Sequence, residues 1–173
     1  AEAIVQTASG CGAFIKDYGH LLSSDPAYAR KAERVSALAR DLVEVLHDEP
    51  LETLGIHSDQ RLAFHCPCTL QHAQKLTGAV EALLARVGFN LTAVPDSHLC
   101  CGSAGTYSLT QPELSRQLRD QKLTALESGH PEVIVTANIG CQSHLDSAGR
   151  TPVRHWIELL EAALPQPGEP PCK

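Results

Sequence analysis

The sequence lacks methionine altogether, even at its first position, and we therefore expect the chain to have been cut from a longer protein. It also lacks any apolar run near the roughly 18 residues that a membrane-spanning helix needs. The opening segment AEAIVQTASG has neither the basic start nor the apolar stretch of a secretory signal peptide. We therefore predict a cytoplasmic chain with no transmembrane segment.

The charge balance excludes a further class of function. The sequence holds 14 lysines and arginines against 20 aspartates and glutamates, which gives a formal net charge of -6 and a pI of about 5.8. A nucleic-acid surface needs a basic stripe, so we expect no nucleic-acid partner. The composition, 43% hydrophobic and 20% charged, is typical of a globular protein with an apolar core.

Cysteine, by contrast, is plentiful. The seven cysteines lie at positions 11, 66, 68, 100, 101, 141 and 172. An odd number of thiols in a chain without an export signal favours metal binding over disulfides. The C-x-x-C pair that structural zinc sites commonly use is absent from the sequence, which weighs against a simple zinc site.

Two segments of the sequence are similar to each other. EAIVQTASGCG at 2–12 and EVIVTANIGCQ at 132–142 align so that Cys11 matches Cys141. Each predicts a buried strand that ends in a turn presenting a thiol. We interpret the pair as an internal duplication with a truncated first copy. The predicted domains are the end of a first repeat plus a linking helix, a complete second repeat and a disordered tail, at 1–55, 56–165 and 166–173.

The apolar pattern predicts how strands and helices alternate. Between the two copies, Asp25 and Pro26 signal the start of a helix whose apolar stripe runs to Leu46. Strands are predicted at 61–65, 91–95 and 132–137. Helices are predicted at 76–87, from a capping box of Thr110 and Glu113 to about Ser128, and at 153–164. This alternation predicts an α/β fold, with a parallel sheet flanked by helices.

Most of the cysteines follow predicted strands. Cys66 and Cys68 come directly after the first strand of the second repeat, Cys100 and Cys101 lie beyond the second, and Cys141 lies beyond the third. The carboxyl ends of parallel strands share one edge of a sheet, where open α/β sheets bind ligands. Soft thiolates select iron–sulfur clusters or zinc. The sequence therefore predicts a metal site at this edge.

Two nearby glycines would let both adjacent cysteines reach the same metal centre. Gly102 and Gly105 allow backbone angles at which both thiols turn toward one centre, and they let N–H groups approach sulfur. A single cysteine is more commonly a small buried apolar residue. We apply that interpretation to Cys172, and it stays open for Cys66.

The order HCPC, 31 residues, CCG, 38 residues and C-x-x-H resembles the cysteine-rich CCG domain. That domain occurs, often in tandem, in the cysteine-rich subunit of heterodisulfide reductases and in iron–sulfur subunits of membrane-linked dehydrogenases. The similarity runs from about Ala63 to the end of the last helix. The segments VTANIGCQSHL, TPVRHWIELL and SGCGAFIKDYGHLL most resemble the iron–sulfur subunits of glycolate oxidases.

The resemblance implies a set of cluster ligands for an iron–sulfur cluster of 4Fe-4S type. They are Cys68, Cys100, Cys101 and Cys141. The family pattern ends in C-x-x-C, whereas this sequence has His144 at the last position. Imidazole can ligate iron and raises the reduction potential where it replaces thiolate, so His144 is a candidate ligand.

The resemblance leaves open whether further residues are ligands. Cys66 stands where the family does not usually place a cysteine and could compensate for a lost one. Cys11 could belong to a degenerate site, because the first copy has Phe14 at the position of His144. His65 and His98 flank the cysteines, and we expect them to be hydrogen-bond donors or surface residues rather than ligands.

The resemblance further implies a non-catalytic electron-transfer subunit of an oxidoreductase. Its partners would be a flavin-containing subunit that oxidises a 2-hydroxy acid such as glycolate, and an upstream ferredoxin-like domain, with the complex at the inner face of the membrane. Two alternatives stay open. One is a structural zinc site or a metal-free scaffold, and the other is thiol–disulfide chemistry at the CCG pair, which requires a thiol of low pKa.

Overall fold

The computed structural model describes residues 1–56 and 58–165. The predicted tail at 166–173, with Cys172, lies outside the described residues. No helix in the described ranges is both long and apolar enough to cross a membrane.

A four-stranded parallel sheet forms the centre of the larger, C-terminal part of the chain. Its strands are β3 (Arg61–His65), β4 (Asn90–Leu91), β5 (Val133–Thr136) and β6 (Val153–His155), in the order β4-β3-β5-β6. In the register, Phe64 lies beside Val135 and Val135 beside Arg154. The predicted α/β fold with a parallel sheet is confirmed.

Helices cover both faces of this sheet, which is why β3 and β5 are runs of buried residues. On one face, Phe64 and Val135 pack with side chains of α5 (Ala79–Arg86) and α9 (Trp156–Ala162). On the other face, Ala63 and Ile134 pack with side chains of α7 (Pro112–Glu127) and α8 (Ile139–Asp146). Sequence patterns located α5 and α7 correctly.

The N-terminal part of the chain forms a smaller sheet. Strands β1 (Ile4–Gln6) and β2 (Ala39–Asp41) pair in parallel. Three helices lie between them in the chain, namely α1 (Ser9–Lys16), α2 (Tyr18–Leu21) and α3 (Ala29–Leu38). Strand β1 leads into α1 as β5 leads into α8, so both Gly-Cys pairs lie near the start of a helix.

The single helix predicted from 26 to 46 is wrong. Helix α3 ends at Leu38, strand β2 follows, and a separate helix α4 (Leu42–Leu46) comes next. The chain is extended at β2 because it pairs with β1 there. Apolar spacing alone does not reveal this interruption, since the stripe continues through it.

The caps of these helices differ from the prediction as well. The Asp25 carboxylate accepts hydrogen bonds from the backbone N–H groups two and three residues later, but it caps only a turn ahead of α3. The capping box lies instead at the start of α4. There Asp41 accepts from the Val43 N–H, and Glu44 accepts from the Asp41 N–H.

Three further predictions need correction. Helix α7 has no side-chain cap, and Thr110 belongs to a separate short helix, α6 (Tyr107–Thr110). The strand predicted at 91–95 is only the two-residue β4. The last predicted helix begins at Trp156, because residues 153–155 form β6 beside β5.

Candidate metal centre

A cavity of about 550 Å³ opens at the carboxyl ends of the central strands. Three loops contribute cysteines to its wall, one after β3, one after β4 and one at the start of α8. These cysteines are Cys68, Cys100, Cys101 and Cys141, and Cys11 of α1 also lies in the wall.

The four thiols from these loops lie close enough to shift one another's pKa values. Side-chain interactions join Cys68 to Cys100, Cys100 to Cys101, and Cys101 to Cys141. Residues more than 70 positions apart in the sequence therefore meet at one point. The shared edge of the parallel sheet brings them together, as the positions of the cysteines after the strands predicted.

The turn at Gly102 positions the adjacent cysteines. Its φ angle is 88°, and a Cβ atom there would lie 2.4 Å from the Ser115 carbonyl oxygen, so only glycine fits. The Gly102 N–H donates to the Cys100 sulfur at 3.3 Å, and the Ser115 hydroxyl donates to the Gly102 carbonyl at 2.8 Å. Helix α7 thus holds the turn against the sulfur atoms.

Buried polar side chains hold the segment that leads into Cys100. The Lys122 ammonium donates to the carbonyls of Ser97 at 2.8 Å and Asp96 at 3.3 Å. The Gln71 amide donates to the carbonyls of Cys66 at 2.7 Å and Ser97 at 3.4 Å. These bonds tie the loop after β4 to the loop after β3, which carries Cys68.

A side-chain cap positions Cys141. The Asn138 side-chain oxygen accepts from the N–H groups of Gly140 at 2.9 Å and Cys141 at 3.4 Å. The Ser103 hydroxyl donates to the Gly140 carbonyl at 3.0 Å. The turn at the start of α8 is therefore bonded directly to the loop that carries the adjacent cysteines.

Comparison with known proteins now decides the family. The cysteine-rich CCG domain family matches residues 62–146, which contain all three loops. The chain is also 31% identical over 174 residues to lactate utilization protein A of Geobacillus kaustophilus (strain HTA426), covering 94% of this chain and 71% of that protein. The chain belongs to the cysteine-rich CCG domain family. The family predicted from the sequence is thereby confirmed.

A second relative is much more similar but longer. The glycolate oxidase iron-sulfur subunit of Escherichia coli (strain K12) is 72% identical over 164 residues, which is 95% of this chain. The chain spans 40% of the length of that relative. A probable glycolate oxidase iron-sulfur subunit of Bacillus subtilis (strain 168) is 30% identical over 143 residues, which is 81% of this chain and 32% of that protein.

Interactions among the thiols of Cys68, Cys100 and Cys101 shift their pKa values in opposite directions. Hydrogen bonds from Cys101 and Cys68 hold the pKa of Cys100 far below its usual range. The same bonds to Cys100 raise the pKa values of Cys101 and Cys68, since each is the donor. In the metal-free chain, Cys100 is therefore the thiolate that its neighbours stabilise. Metal binding would displace the remaining thiol protons.

A buried cation lies beside these thiols. Lys122 is only 1% exposed, and burial lowers the pKa of its amine, while the charge that the neighbouring cysteines carry when ionised raises it. The position of this lysine on α7 could not be found from the sequence, because nothing there distinguishes it from an exposed lysine on the polar face of a helix.

The structure does not bring every predicted site residue to the cavity. Cys66 is 4% exposed within the apolar core, and burial raises the pKa of its thiol to about 12. His144 lies on α8 with its Nε2 atom 3.1 Å from the Ser115 hydroxyl and 3.3 Å from the Ser115 carbonyl oxygen. Cys11 lines the cavity but is exposed, and His98 is an exposed residue.

His65 occupies a more central position than the sequence suggested. It is the last residue of β3 and is 1% exposed. A ring nitrogen of His65 and the sulfur atoms of Cys101 and Cys141 all lie within 4.8 Å of one another. Burial, chiefly, lowers the pKa of the His65 ring to about 3, which keeps it neutral at physiological pH. The sequence did not predict it as a ligand, and its place at a strand end, just before Cys66 and Cys68, is the signal that could have identified it.

Proposed function

We propose that this chain is part of an iron–sulfur electron-transfer subunit of a glycolate oxidase-type complex. The observation that carries the proposal is the meeting of four thiols from three loops in one cavity. The 72% identity to a glycolate oxidase iron-sulfur subunit supports it. Cys68, Cys100, Cys101 and Cys141 would hold the cluster, which we propose to be of the 4Fe-4S type.

The residues around the cavity fit such a cluster. Thiolates are the usual protein ligands of iron–sulfur clusters, and the cavity wall presents the thiols of Cys68, Cys100, Cys101 and Cys141. The Gly102 N–H already points at the Cys100 sulfur, and hydrogen bonds to sulfur adjust the reduction potential of a cluster. Lys122 would place a positive charge near the anionic thiolates.

The reaction of the complex would be divided between its subunits. The flavin-containing partner would oxidise a 2-hydroxy acid to the 2-oxo acid, which releases two electrons and two protons to the flavin. This chain would accept the electrons one at a time and pass them to a quinone or another carrier. An iron–sulfur cluster supplies one-electron storage for that purpose when bound.

The remaining parts of the proposal concern the whole protein. We propose that the two Gly-Cys segments derive from tandem CCG repeats, with the boundary within 48–60, and that a ferredoxin-like domain lies upstream. The complex would lie on the cytoplasmic face of the membrane. His144 could join the ligands only if its ring left Ser115.

Metal analysis of the anaerobically purified protein tests the proposal. We expect iron and acid-labile sulfide in equal amounts, with a broad visible absorption that bleaches on reduction by dithionite. Stoichiometric zinc without iron, or a colourless protein that stays free of metal after reconstitution with iron and sulfide, would refute it.

A further inference from the structure

We propose that His65 is a ligand of the cluster through its Nε2 atom, in addition to the four cysteines. This inference rests on the proposed function, because it assigns a role toward the same cluster. The geometry that carries it is a buried imidazole at the end of β3 whose Nδ1 atom is held, whose Nε2 atom is unpaired, and which has a ring nitrogen within 4.8 Å of two cysteine sulfurs.

The held nitrogen fixes the orientation of the ring. The Nδ1 atom of His65 lies 3.0 Å from the hydroxyl of Thr136, a fully buried residue of the neighbouring strand β5. Residues 65 and 136 are direct partners in the parallel register. A hydrogen bond of this kind, on the nitrogen away from the metal, is what orients most histidines that bind metals.

The other nitrogen has no protein partner. Among the described residues, the Nε2 atom of His65 is buried and has no hydrogen-bond partner. Leaving such a polar atom unpaired in the interior is unfavourable, because it loses its hydrogen bond to water and gains none. Unpaired buried atoms are therefore rare and call for a partner that is not a protein group. A metal bound at this nitrogen would remove the cost.

The imidazole also lies next to the sulfur atoms. Among the described residues, His65, Cys101 and Cys141 each offer one ligand atom, and these atoms, which include one ring nitrogen of His65, lie within 4.8 Å of one another. Because Nδ1 is taken by Thr136, Nε2 is the nitrogen that remains available in this group. Mixed thiolate and imidazole ligation occurs in iron–sulfur centres.

The second histidine near the motif provides a contrast. His144 follows Cys141 at the spacing of a C-x-x-H motif, yet its Nε2 atom is already within hydrogen-bond distance of Ser115. The structure thus assigns imidazole ligation to the histidine before the first cysteine loop rather than to the one after the last.

Pulsed electron paramagnetic resonance of the reduced cluster tests this assignment. The chain would carry histidine labelled with nitrogen-15 in the imidazole ring, and His144→Gln would serve as the matched control. We expect the wild type and His144→Gln to show the large nitrogen coupling of a directly bound imidazole. His65→Gln should lack it.

A second variant keeps the test decisive if His65→Gln loses its cluster. His65→Cys offers a thiolate at the same position, and we expect it to retain iron, to lose the nitrogen coupling and to have a lower reduction potential than the wild type. The lower potential follows because thiolate adds a negative charge where imidazole has none.

Several results would overturn the inference. They are a wild-type cluster without imidazole coupling, a coupling that persists in His65→Gln or His65→Cys, and a coupling lost in His144→Gln. Iron and sulfide present without imidazole coupling would refute only the role of His65. A wild type without iron and sulfide would refute the proposed function itself.

Discussion

The two Gly-Cys turns of this chain have similar sequences but different surroundings. Cys141 follows a side-chain cap from Asn138, and its sulfur lies within 4.8 Å of the Cys101 sulfur. Cys11 follows Ala8, which offers no capping side chain, and it is exposed at the rim of the same cavity. The two Gly-Cys turns therefore differ in side-chain capping and in the exposure of their cysteines, although both cysteines line one cavity.

The two turns nevertheless depend on each other. The Ser9 N–H donates to the Ala137 carbonyl at 3.0 Å, and the Asn138 amide donates to the Ser9 hydroxyl at 3.3 Å. Nε2 of His155 lies 2.8 Å from the Thr7 carbonyl oxygen. The first turn therefore supports the second, although its own cysteine has no thiol partner among the contacts described for the cavity.

The largest expected difference between the turns is in metal binding. Cys141→Ser should lose most of its iron, because it removes a proposed ligand. We expect affinity to fall about 10-fold or more, since changes even outside the ligand shell cost that much. Cys11→Ser is the matched control and should keep the wild-type iron content. Equal losses in both variants, measured by iron and sulfide analysis, would show that the two turns contribute to one site.

The helix caps at α4 and α9, each directly after a short parallel strand, provide the next comparison. Asp41 caps α4 and also accepts from the Gln74 amide at 3.0 Å, whereas His155 caps α9 through Ile157. Asp41→Ala should reduce the free energy of unfolding by about 1–2 kcal/mol, because a buried cap and a buried acceptor are both lost. Urea denaturation measures this, and a loss in Asp41→Ala smaller than that in His155→Ala would contradict the ranking.

A smaller effect is expected at the cap of α8. Asn138→Ala should lower the free energy of unfolding by about 1 kcal/mol, since two N–H groups lose their acceptor. Asn138→Ser retains a capping oxygen and should recover most of that loss. If the two variants are equally unstable in urea, the cap is not what stabilises this turn.

The smallest effect should come from adding the missing cap to the first turn. Ala8 has the extended backbone of an N-cap residue, with φ of -104° and ψ of 108°, but no side-chain oxygen. Ala8→Ser should raise the free energy of unfolding by about 0.5 kcal/mol. No change in the urea midpoint would mean that the first turn differs from the second in more than its cap.

The sequence predicted the placement of the cysteines well, for a physical reason. Strands β3 and β5 are buried apolar runs, and in a parallel sheet the residues that follow them must reach one edge. The positions of Cys68 and Cys141 follow from that alone. Strand β2 was missed because its residues continue the apolar stripe of α3, although the Asp41 and Glu44 capping box marked the start of a new helix.

The finer features of the site depend on packing that the sequence does not display. The C-x-x-H spacing pointed to His144, but contact with α7 gives that ring a partner in Ser115. The sequence predicts a hydrogen-bond donor rather than a ligand at His65, yet the register beside Thr136 leaves its Nε2 atom unpaired, and a ring nitrogen lies within 4.8 Å of two cysteine sulfurs. Which histidine keeps an unpaired nitrogen is decided by tertiary contacts rather than by spacing along the chain.

Native mass spectrometry of the anaerobically prepared protein tests the central claim most directly. The wild type should carry the added mass of one iron–sulfur cluster. Single serine substitutions at residues 68, 100, 101 and 141 should each reduce that species sharply, while Cys66→Ser should retain it because that thiol lies in the apolar core. A cluster that survives all four substitutions, or is lost only in Cys66→Ser, would contradict the account.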